Sequence, residues 1–347
     1  MLTERQMLVL EAIVRVYTEV GQPVGSKSVV DFLPMHVSSA TIRNEMVTLE
    51  NNGLIKKTHS SSGRIPSFLG YRYYVDHIVK PGVVPAAELA NIQNSLGVHF
   101  QKIDEIFAES TKILSDLTNY TAISLRPETM ESRLEGFRLV PLGNHRIMAI
   151  LVMSSGVVEN QTFSIPKSIN GSDLEAVTRL LNDQLIGLSL AEISKKLRTS
   201  IPVMLVNYMR RPAGILDIFG NILKQAAREQ VFVGGKSNIL DFATDSNVDE
   251  LKSLYDLVDT SNNKNIGELI GIQGKPIQIK IGEELTNQLL DNYSLISASY
   301  DVSDHGQGVI ALLGPTNMPY SKMIGLLDAF SDELAKKLLD YYQQFDK

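Results

Sequence analysis

The sequence predicts an α+β fold that is divided into two or three domains. A chain of 347 residues exceeds what one hydrophobic core usually supports, since a domain holds roughly 100–200 residues. Its hydrophobic (44%) and charged (21%) fractions are typical of a folded globular protein. Three helical patterns and a hairpin pattern come first, and strand patterns then alternate with helical ones. We therefore expect a small N-terminal domain followed by a larger sheet domain.

The composition excludes several classes of protein. Because the chain has no cysteine, it cannot carry a disulfide scaffold, a thiolate zinc site, an iron–sulfur cluster or a cysteine nucleophile. A reducing compartment suits this composition. The start, Met1 to Arg5, lacks the basic and apolar segments of a signal peptide, and no apolar stretch reaches the ~18 residues of a membrane span. We expect a cytoplasmic protein that has no membrane partner.

The net charge of −6 conceals an uneven distribution along the chain. Residues 1–80 carry nine basic and seven acidic side chains, a charge of +2, whereas the remaining residues carry −8. Between 36 and 72 the basic side chains outnumber the acidic ones by five to two. A small positive region on an acidic protein is what local binding of phosphate groups requires. The N-terminal region is therefore the candidate for contact with nucleic acid.

Local signals predict two helices in the first 32 residues. Thr3 and Gln6 have the spacing of a capping box. Apolar residues then recur with helical period, and Gly21 suits the end of this first helix. After a segment rich in Pro and Gly, Ser26 is placed to cap a short second helix, Lys27 to Phe32.

A third helix and a β-hairpin complete the predicted N-terminal domain. Ser38 or Ser39 caps the third helix, and Gly53 ends it. Two short strands follow at 54–58 and 64–66, joined by a small polar loop. The order of helix, helix, turn, helix and hairpin is that of a winged helix-turn-helix domain.

Beyond a linker at Lys80 to Pro85, strands and helices alternate in a way that suggests one α/β sheet domain carrying an insertion. Two helical segments interrupted near Gly97 come first, and a hairpin turn is predicted at Ser154-Ser155-Gly156. Strands are predicted at 134–142, 145–153, 157–165, 277–281, 295–300 and 308–313. Helices are predicted at 172–187, 214–229 and 321–342.

The third helix has a core face and a polar face. Ile42, Met46 and Leu49 lie within about 60° of one another around the helix axis, so they form the buried stripe. The opposite arc holds short or polar side chains suited to base edges, namely Ala40, Thr41, Arg43, Asn44 and Thr48. Asn pairs with adenine, Arg with guanine, and Ala or Thr meets the thymine methyl group. The first turn, with Ser38 and Ser39 near a phosphate, should enter the major groove, so double-stranded DNA is the expected partner.

The hairpin predicts a second contact, with the DNA backbone or the adjacent minor groove. Lys56 and Lys57 on one strand, Arg64 on the other and His59 near the tip form a small cationic wing. Gly63 would allow a positive φ at the bend. The remaining candidate DNA-binding residues are Lys27 in the second helix, Ser62 at the tip and Arg72 after the hairpin. The neighbouring Tyr71, Tyr73 and Tyr74 are expected to pack the linking helix instead.

Five motifs carry a resemblance to a known family. In the N-terminal region they are Val37-Ser38-Ser39-Ala40-Thr41-Ile42-Arg43-Asn44-Glu45-Met46, Leu49-Glu50-x-x-Gly53-Leu54-Ile55 and Ser62-Gly63-Arg64-Ile65-Pro66-Ser67-x-x-Gly70-Tyr71-Arg72-Tyr73-Tyr74-Val75-Asp76. The later ones are Val231-Phe232-Val233-Gly234-Gly235-x-Ser237-Asn238-Ile239-Leu240 and Leu313-Gly314-Pro315-Thr316-x-Met318-x-Tyr320. In this order they resemble the heat-inducible transcription repressors HrcA over nearly the whole chain. Ser62 and Ser67 depart from the family's usual Ala and Thr without disturbing the wing.

The resemblance implies a negative regulator of heat-shock chaperone operons, with no catalytic activity and no cofactor. Such a repressor binds an inverted-repeat operator called CIRCE as a homodimer. The GroE chaperonin maintains its active form, and heat shock relieves repression. The implied domains are a winged helix-turn-helix domain (1–78), a linker and helix (79–100), a GAF-like α/β sheet domain (101–186 and 246–347) and an inserted α/β dimerisation domain (187–245).

The sequence gives little support for a nucleotide-binding site or a metal site. Gly235-Lys236-Ser237 follows an apolar strand, but a phosphate-binding loop needs a glycine where Gln230 stands. Asp301, Asp304 and His305 suit a polar hairpin turn better than a metal site, and no pair of histidines has metal-ligand spacing. We therefore expect no metal and no cofactor. Two other functions stay open: a GAF-type regulator that responds to a small molecule, and a winged helix that binds another protein rather than DNA.

Overall fold

The computed structural model describes residues 2–58, 63–128, 133–154, 158–165, 171–206, 213–226, 231–243, 247–259, 270 and 276–344. The chain forms two compact units. The first unit is Met1–Arg126, Val231–Val302 and Gln307–Lys347, and the second is Pro127–Gln230 and Ser303–Gly306. Two hydrophobic clusters lie in the first unit and a third lies in the second.

The first unit begins with three helices and a hairpin, as predicted. They are α1 (Glu4–Val20), α2 (Ser26–Val30), α3 (Ser39–Asn51), β1 (Ile55–Lys57) and β2 (Arg64–Pro66), followed by α4 (Phe68–His77). The Thr3 side chain accepts a hydrogen bond from the Gln6 amide and the Gln6 side chain accepts one from the Thr3 amide, which confirms the capping box. Gly21 ends α1 with φ 67°, and Gly53 follows α3 with φ 73°, both as predicted.

The start of α2 differs from the prediction. This helix begins at Ser26 itself, with Gly25 as its N-cap, whereas Ser26 was expected to be the cap. The Oγ atom of Ser26 lies 2.9 Å from the Oγ atom of Ser39, in the first turn of α3. Ser26 therefore joins the two helices of the helix-turn-helix, a contact that local capping rules do not foresee. Of the two predicted caps of α3, it is Ser38 that accepts a hydrogen bond, from the amide of Thr41.

Five strands form the sheet of the first unit, in the order β7-β3-β10-β9-β8. They are β3 (Thr121–Glu128), β7 (Val231–Gly234), β8 (Ile277–Ile281), β9 (Tyr293–Asp301) and β10 (Gln307–Pro315). The helices around it are α5 (Ala86–Leu96), α6 (Ile103–Thr118), α11 (Val248–Val258) and α12 (Tyr320–Gln343). Alternate side chains of β9 enter different clusters, since Ile296 lies in one cluster with Phe330 of α12 and Leu295 lies in another with Leu254 of α11. The sheet is therefore covered on both faces.

The second unit contains a separate, antiparallel sheet of three strands in the order β4-β5-β6. Its elements are β4 (Leu134–Gly143), β5 (Arg146–Met153), β6 (Val158–Ser164), α7 (Gly171–Leu185), α8 (Leu190–Arg198), α9 (Ser200–Leu205) and α10 (Ala213–Ala226). One face of the sheet is buried against the helices, and Phe137 meets Phe219 of α10 edge-on at 4.5 Å between ring centroids. Asn182 of α7 accepts a hydrogen bond from the Phe137 amide (2.8 Å) and donates one to its carbonyl (2.7 Å).

The predicted strands and helices of this region are confirmed to within a few residues, but their grouping is wrong. The strands at 134–165 were expected to join those at 277–313 in one sheet, yet they pair only among themselves in the described residues. The inserted unit therefore spans 127–230 rather than 187–245. Strand β7, placed in the insertion by the prediction, pairs with β3 in the first unit. Periodicity identifies a strand but not its partner. Of the predicted turn at 154–156, residues 155 and 156 lie outside the described residues.

Candidate nucleic-acid interface

Helix α3 is held in place by a buried face and by one anchored carboxylate. Ile42, Met46 and Leu49 are buried, as the periodicity predicted, in one cluster with the apolar side chains of α1. Glu45 is also buried and accepts hydrogen bonds from Arg5 Nε at 2.6 Å and from Gln6 Nε2 at 3.1 Å. A hydrogen-bonded charge pair between α1 and α3 fixes the rotation of α3 about its axis. Its opposite face is consequently held toward solvent.

The solvent-facing side of α3 forms a continuous stripe. We define the recognition face as the exposed residues at relative positions i, i+3, i+4, i+7 and i+11, namely Ala40, Arg43, Asn44, Val47 and Asn51. Thr41 and Thr48, which were predicted beside them, are half-buried. The Thr48 hydroxyl donates to the Asn44 carbonyl at 3.2 Å, and the Thr41 hydroxyl lies 2.9 Å from that of Ser38. The predicted Ala40, Arg43 and Asn44 are thus free to meet a base edge, whereas the two threonines border them.

Two of the five exposed residues on this face were missed by the sequence reasoning. The prediction emphasises the first turn of the helix and does not include Val47 and Asn51. The helical period that places Asn44 outside also places Val47, three residues later, and Asn51, seven residues later, on the same side. Extending the stripe to the end of α3 would have found both.

The wing presents two lysines on its outer strand. Lys56 and Lys57 are exposed on β1, as predicted. The Lys57 side chain is 61% exposed, and its Nζ atom lies 3.9 Å from Glu50 Oε1, at the long limit of an ion pair. His59 and Ser62, the candidates at the tip, lie outside the described residues. Within the described part of the wing, Lys56 and Lys57 are the exposed candidates for the predicted backbone contact.

A groove joins the wing to the helix-turn-helix. It is lined by Gly25, Ser26, Lys27, Arg43, Met46, Lys57 and Arg64 and has a volume of about 450 Å³. Lys27 on α2, Arg43 on α3 and Lys57 on β1 are all exposed along it. Three cations from three elements on one surface form an arrangement suited to successive phosphates of one DNA strand.

Arg64 is part of the domain's own framework, and its assignment to the DNA contact stays a prediction. Its side chain is only 10% exposed and donates to Glu50 Oε2 from both Nε (2.9 Å) and NH2 (2.8 Å). Its backbone amide and carbonyl both bond to Val24, at 2.9 and 2.8 Å. Arg64 thus ties β2 to α3 and to the chain before α2. The sequence shows the positive charge of Arg64 but not that a carboxylate 14 residues away pairs with it.

Gly63 is needed for a reason other than the predicted positive φ. It is buried, and its φ does not fall in the left-handed region, where Gly21 and Gly53 lie. A Cβ atom at this position would stand 2.8 Å from the backbone of Pro23. Close approach of two backbone segments, at the base of the wing, therefore requires glycine here. The residue shapes the wing, and its predicted contact with DNA stays a prediction.

Arg72 is likewise hydrogen-bonded within the first unit, and its assignment as a DNA-binding residue stays a prediction. Its guanidinium donates to Asp76 Oδ1 at 2.8 Å, to Glu284 Oε2 at 3.0 Å and to the carbonyl of Ile279 at 2.9 Å. Two of these partners lie more than 200 positions away in the sequence, beside the five-stranded sheet. Arg72 therefore fastens α4 to that sheet. Tyr71 and Tyr74 are buried, as predicted, and burial raises the pKa of Tyr74 to about 12.

Matches to protein families agree with this geometry. A family model described as "Winged helix-turn-helix transcription repressor, HrcA DNA-binding" matches residues 1–74. A second, "HrcA protein C terminal domain", matches 104–324. The chain belongs to the HrcA family of heat-inducible transcription repressors.

Relatives that bear the HrcA name align over the whole chain. The "Heat-inducible transcription repressor HrcA" of Ligilactobacillus salivarius is 54% identical, with 100% of both chains covered. That of Limosilactobacillus reuteri is 55% identical over 99% of each chain, and that of Enterococcus faecalis is 48% identical over 99% of each. A crystal structure described as that of "a hypothetical protein" has the same fold, with a TM-score of 0.58 at 22% identity over 98% of this chain and 99% of the other. The HrcA relatives are named as repressors and not as enzymes.

The segments that suggested other chemistry have structural roles in this HrcA chain. After β7, Gly235 adopts φ 62° and a 3₁₀ helix (Lys236–Phe242) begins, and Lys236 Nζ lies 2.8 Å from Asp259. Ser303–His305 form one 3₁₀ turn before Gly306, as expected for a turn. Within the described residues, no three potential ligands are grouped around a common point that could hold a metal ion. The same residues include no helix long and apolar enough to cross a bilayer.

Proposed function

We propose that this chain represses heat-shock chaperone operons by binding an inverted-repeat operator of the CIRCE type as a homodimer. The observation that carries the proposal is the recognition face of α3, flanked by the exposed cations Lys27, Lys56 and Lys57. Arg43 and Asn44 on that face suit guanine and adenine edges in the major groove. Since its operator would be chromosomal, the repressor would act in the cytoplasm.

One winged helix is too weakly charged to hold DNA tightly by itself. The described cations give each domain about four phosphate or base contacts, and non-specific affinity rises with the number of phosphates neutralised. Two copies related by a two-fold axis double this number and match two half-sites of a palindrome. Dimerisation is therefore the step that converts a weak contact into specific repression.

The three-stranded sheet of the second unit supports dimerisation by this unit. Alternation along β5 buries Ile147, Ala149, Leu151 and Met153 and leaves the other face outward. Among the described residues, that outward face holds the exposed or half-buried side chains of Arg138, Val140, Met148, Ile150, Val152, Val158, Asn160 and Thr162. A second copy of this chain would cover its apolar centre and remove it from water. We accordingly assign 127–230 as the dimerisation domain and the five-stranded sheet as the GAF-like domain.

Control by heat would follow from marginal stability. Folded proteins are stable by only about 5–15 kcal/mol, so heating readily depletes the DNA-binding form. The family resemblance adds the GroE chaperonin, which would restore that form and become occupied by other unfolded proteins during heat shock. Titrating purified chaperonin into an operator-binding assay tests this part of the proposal. Binding that is indifferent to chaperonin would remove it from the mechanism.

Selection of bound sequences from random DNA duplexes tests the proposal as a whole. The expected product is an inverted repeat whose half-sites are spaced for two recognition helices. A direct repeat would contradict the two-fold dimer, and failure to enrich any sequence at low salt would contradict DNA binding itself. In the last case the winged helix would serve contacts with another protein.

A further inference from the structure

Val47 is an apolar side chain placed where the rest of α3 is polar. It is 45% exposed, whereas the other large apolar residues of the helix, Ile42, Met46 and Leu49, are at most 4% exposed. A β-branched residue also lowers helix propensity slightly. Burial against the protein's own core therefore does not account for a valine at this position.

The position of Val47 is the centre of the recognition face. With about 100° and 1.5 Å of rise per residue, Val47 lies about 60° around the helix from Asn44 and about 4.5 Å further along the axis. It stands about 40° from Arg43 on the other side. Because base pairs are spaced by about 3.4 Å, Val47 would face the base pair next to the one that Asn44 meets.

The major groove offers one apolar group, the C5-methyl of thymine. We propose that Val47 determines specificity by packing its two methyl groups against a thymine methyl in each half-site of the operator. Cytosine, which lacks this methyl and presents an amino donor there, would leave the valine against a polar group. Val47 thus extends recognition by one base pair beyond Arg43 and Asn44. The inference rests on the proposed function, since it requires that α3 enter the major groove.

Replacing thymidine by deoxyuridine, one position at a time in the selected operator, tests the contact. Deoxyuridine keeps the base pair and removes only the C5-methyl group. Loss of about one buried methyl contact weakens binding about fourfold in one half-site and about fifteenfold when both half-sites are changed. We expect one such position per half-site that is sensitive with Val47 and insensitive in Val47→Ala. The variant itself should bind the unmodified operator with the same weakened affinity.

Two further variants separate specificity from folding. Val47→Thr keeps the shape and one methyl group, so it should retain part of the sensitivity to deoxyuridine. Val83→Ala makes the same truncation at a 96% exposed valine outside α3 and should leave the operator affinity unchanged. Circular dichroism and thermal unfolding check that Val47→Ala folds, and its melting temperature should not fall, because alanine favours the helix.

The possible failures are distinguishable. If Val47→Ala keeps the sensitivity at every thymidine, or if no single deoxyuridine weakens the unaltered protein, the assignment of Val47 is overturned while DNA binding stands. A uniform loss of affinity on all duplexes by a folded Val47→Ala would also overturn it. If the selection enriches no sequence at all, it is the proposed function that fails.

Discussion

Comparing Arg64→Ala with Lys57→Ala tests whether Arg64 stabilises the wing while Lys57 binds DNA. Arg64 and Lys57 face each other in the register of the hairpin, so Lys57→Ala is a matched control. Arg64 is buried and donates twice to Glu50, whereas the Lys57 side chain is 61% exposed. Arg64→Ala should therefore lower the stability of the wing, whereas Lys57→Ala should lower the affinity for DNA.

The expected cost of Arg64→Ala follows from the burial of the pair. Removing one partner of a fully buried ion pair costs about 3–5 kcal/mol. Because the Glu50 side chain is 27% exposed, water can solvate part of the carboxylate that loses its partner. We therefore expect Arg64→Ala to lower the free energy of unfolding of the wing by about 2 kcal/mol. A local destabilisation of this size should speed amide hydrogen exchange in β1 and β2 about 30-fold. Lys57→Ala should leave the exchange within about twofold, since exposed substitutions cost little.

Salt dependence of operator binding gives the second measurement. The logarithm of the binding constant falls with log salt by about 0.9 per phosphate neutralised. A dimer without Lys57 should lose one such contact in each half-site, which makes the slope shallower by about 1.8. Arg64→Ala should bind less tightly at every salt concentration with an unchanged slope. If Arg64→Ala reduces the slope as Lys57→Ala does and leaves the hairpin's exchange unaltered, Arg64 binds DNA and does not build the wing.

Three other expectations follow from the structure. Asn44→Ala should cost about 1–3 kcal/mol of operator binding and relax the preference at one base pair per half-site; an unchanged footprint and selection profile would show that α3 meets DNA through another face. Val158→Asp, at a 55% exposed position on the outward sheet face, should yield a folded monomer by light scattering that no longer binds the inverted repeat, and a stable dimer would contradict the assigned interface. Burial raises the pKa of Tyr74 from 10.0 to about 12, so the folded state binds this proton more tightly than the unfolded state does. This contribution to stability is complete below pH 10 and lost as the pH rises toward 12. In urea unfolding, the free energy of unfolding of the unaltered protein should fall more steeply between pH 10 and pH 12 than that of Tyr74→Phe. Equal pH profiles for the two proteins would show that Tyr74 does not contribute to this loss.

The sequence by itself determined the N-terminal elements and the orientation of α3. The capping box of Thr3 and Gln6, the helix ends at Gly21 and Gly53 and the buried stripe of α3 were all predicted, and all are present. These signals act within about four residues, because a cap bonds the amides of its own first turn and a helical period repeats every 3.6 residues. Residues close together in the sequence are therefore sufficient to determine these helix ends and the buried face.

Tertiary structure alone decided which cations form internal ion pairs and which strands share a sheet. Arg64 and Arg72 have the same charge as Lys57, but carboxylates 14 and 212 positions away occupy them. Likewise, the strands at 134–164 have ordinary strand periodicity, but in the described residues they pair with one another and pack against α7 and α10. Ion pairs and sheet partners depend on which distant segments meet in the folded chain. Periodicity and charge along the sequence do not indicate which distant segments come into contact.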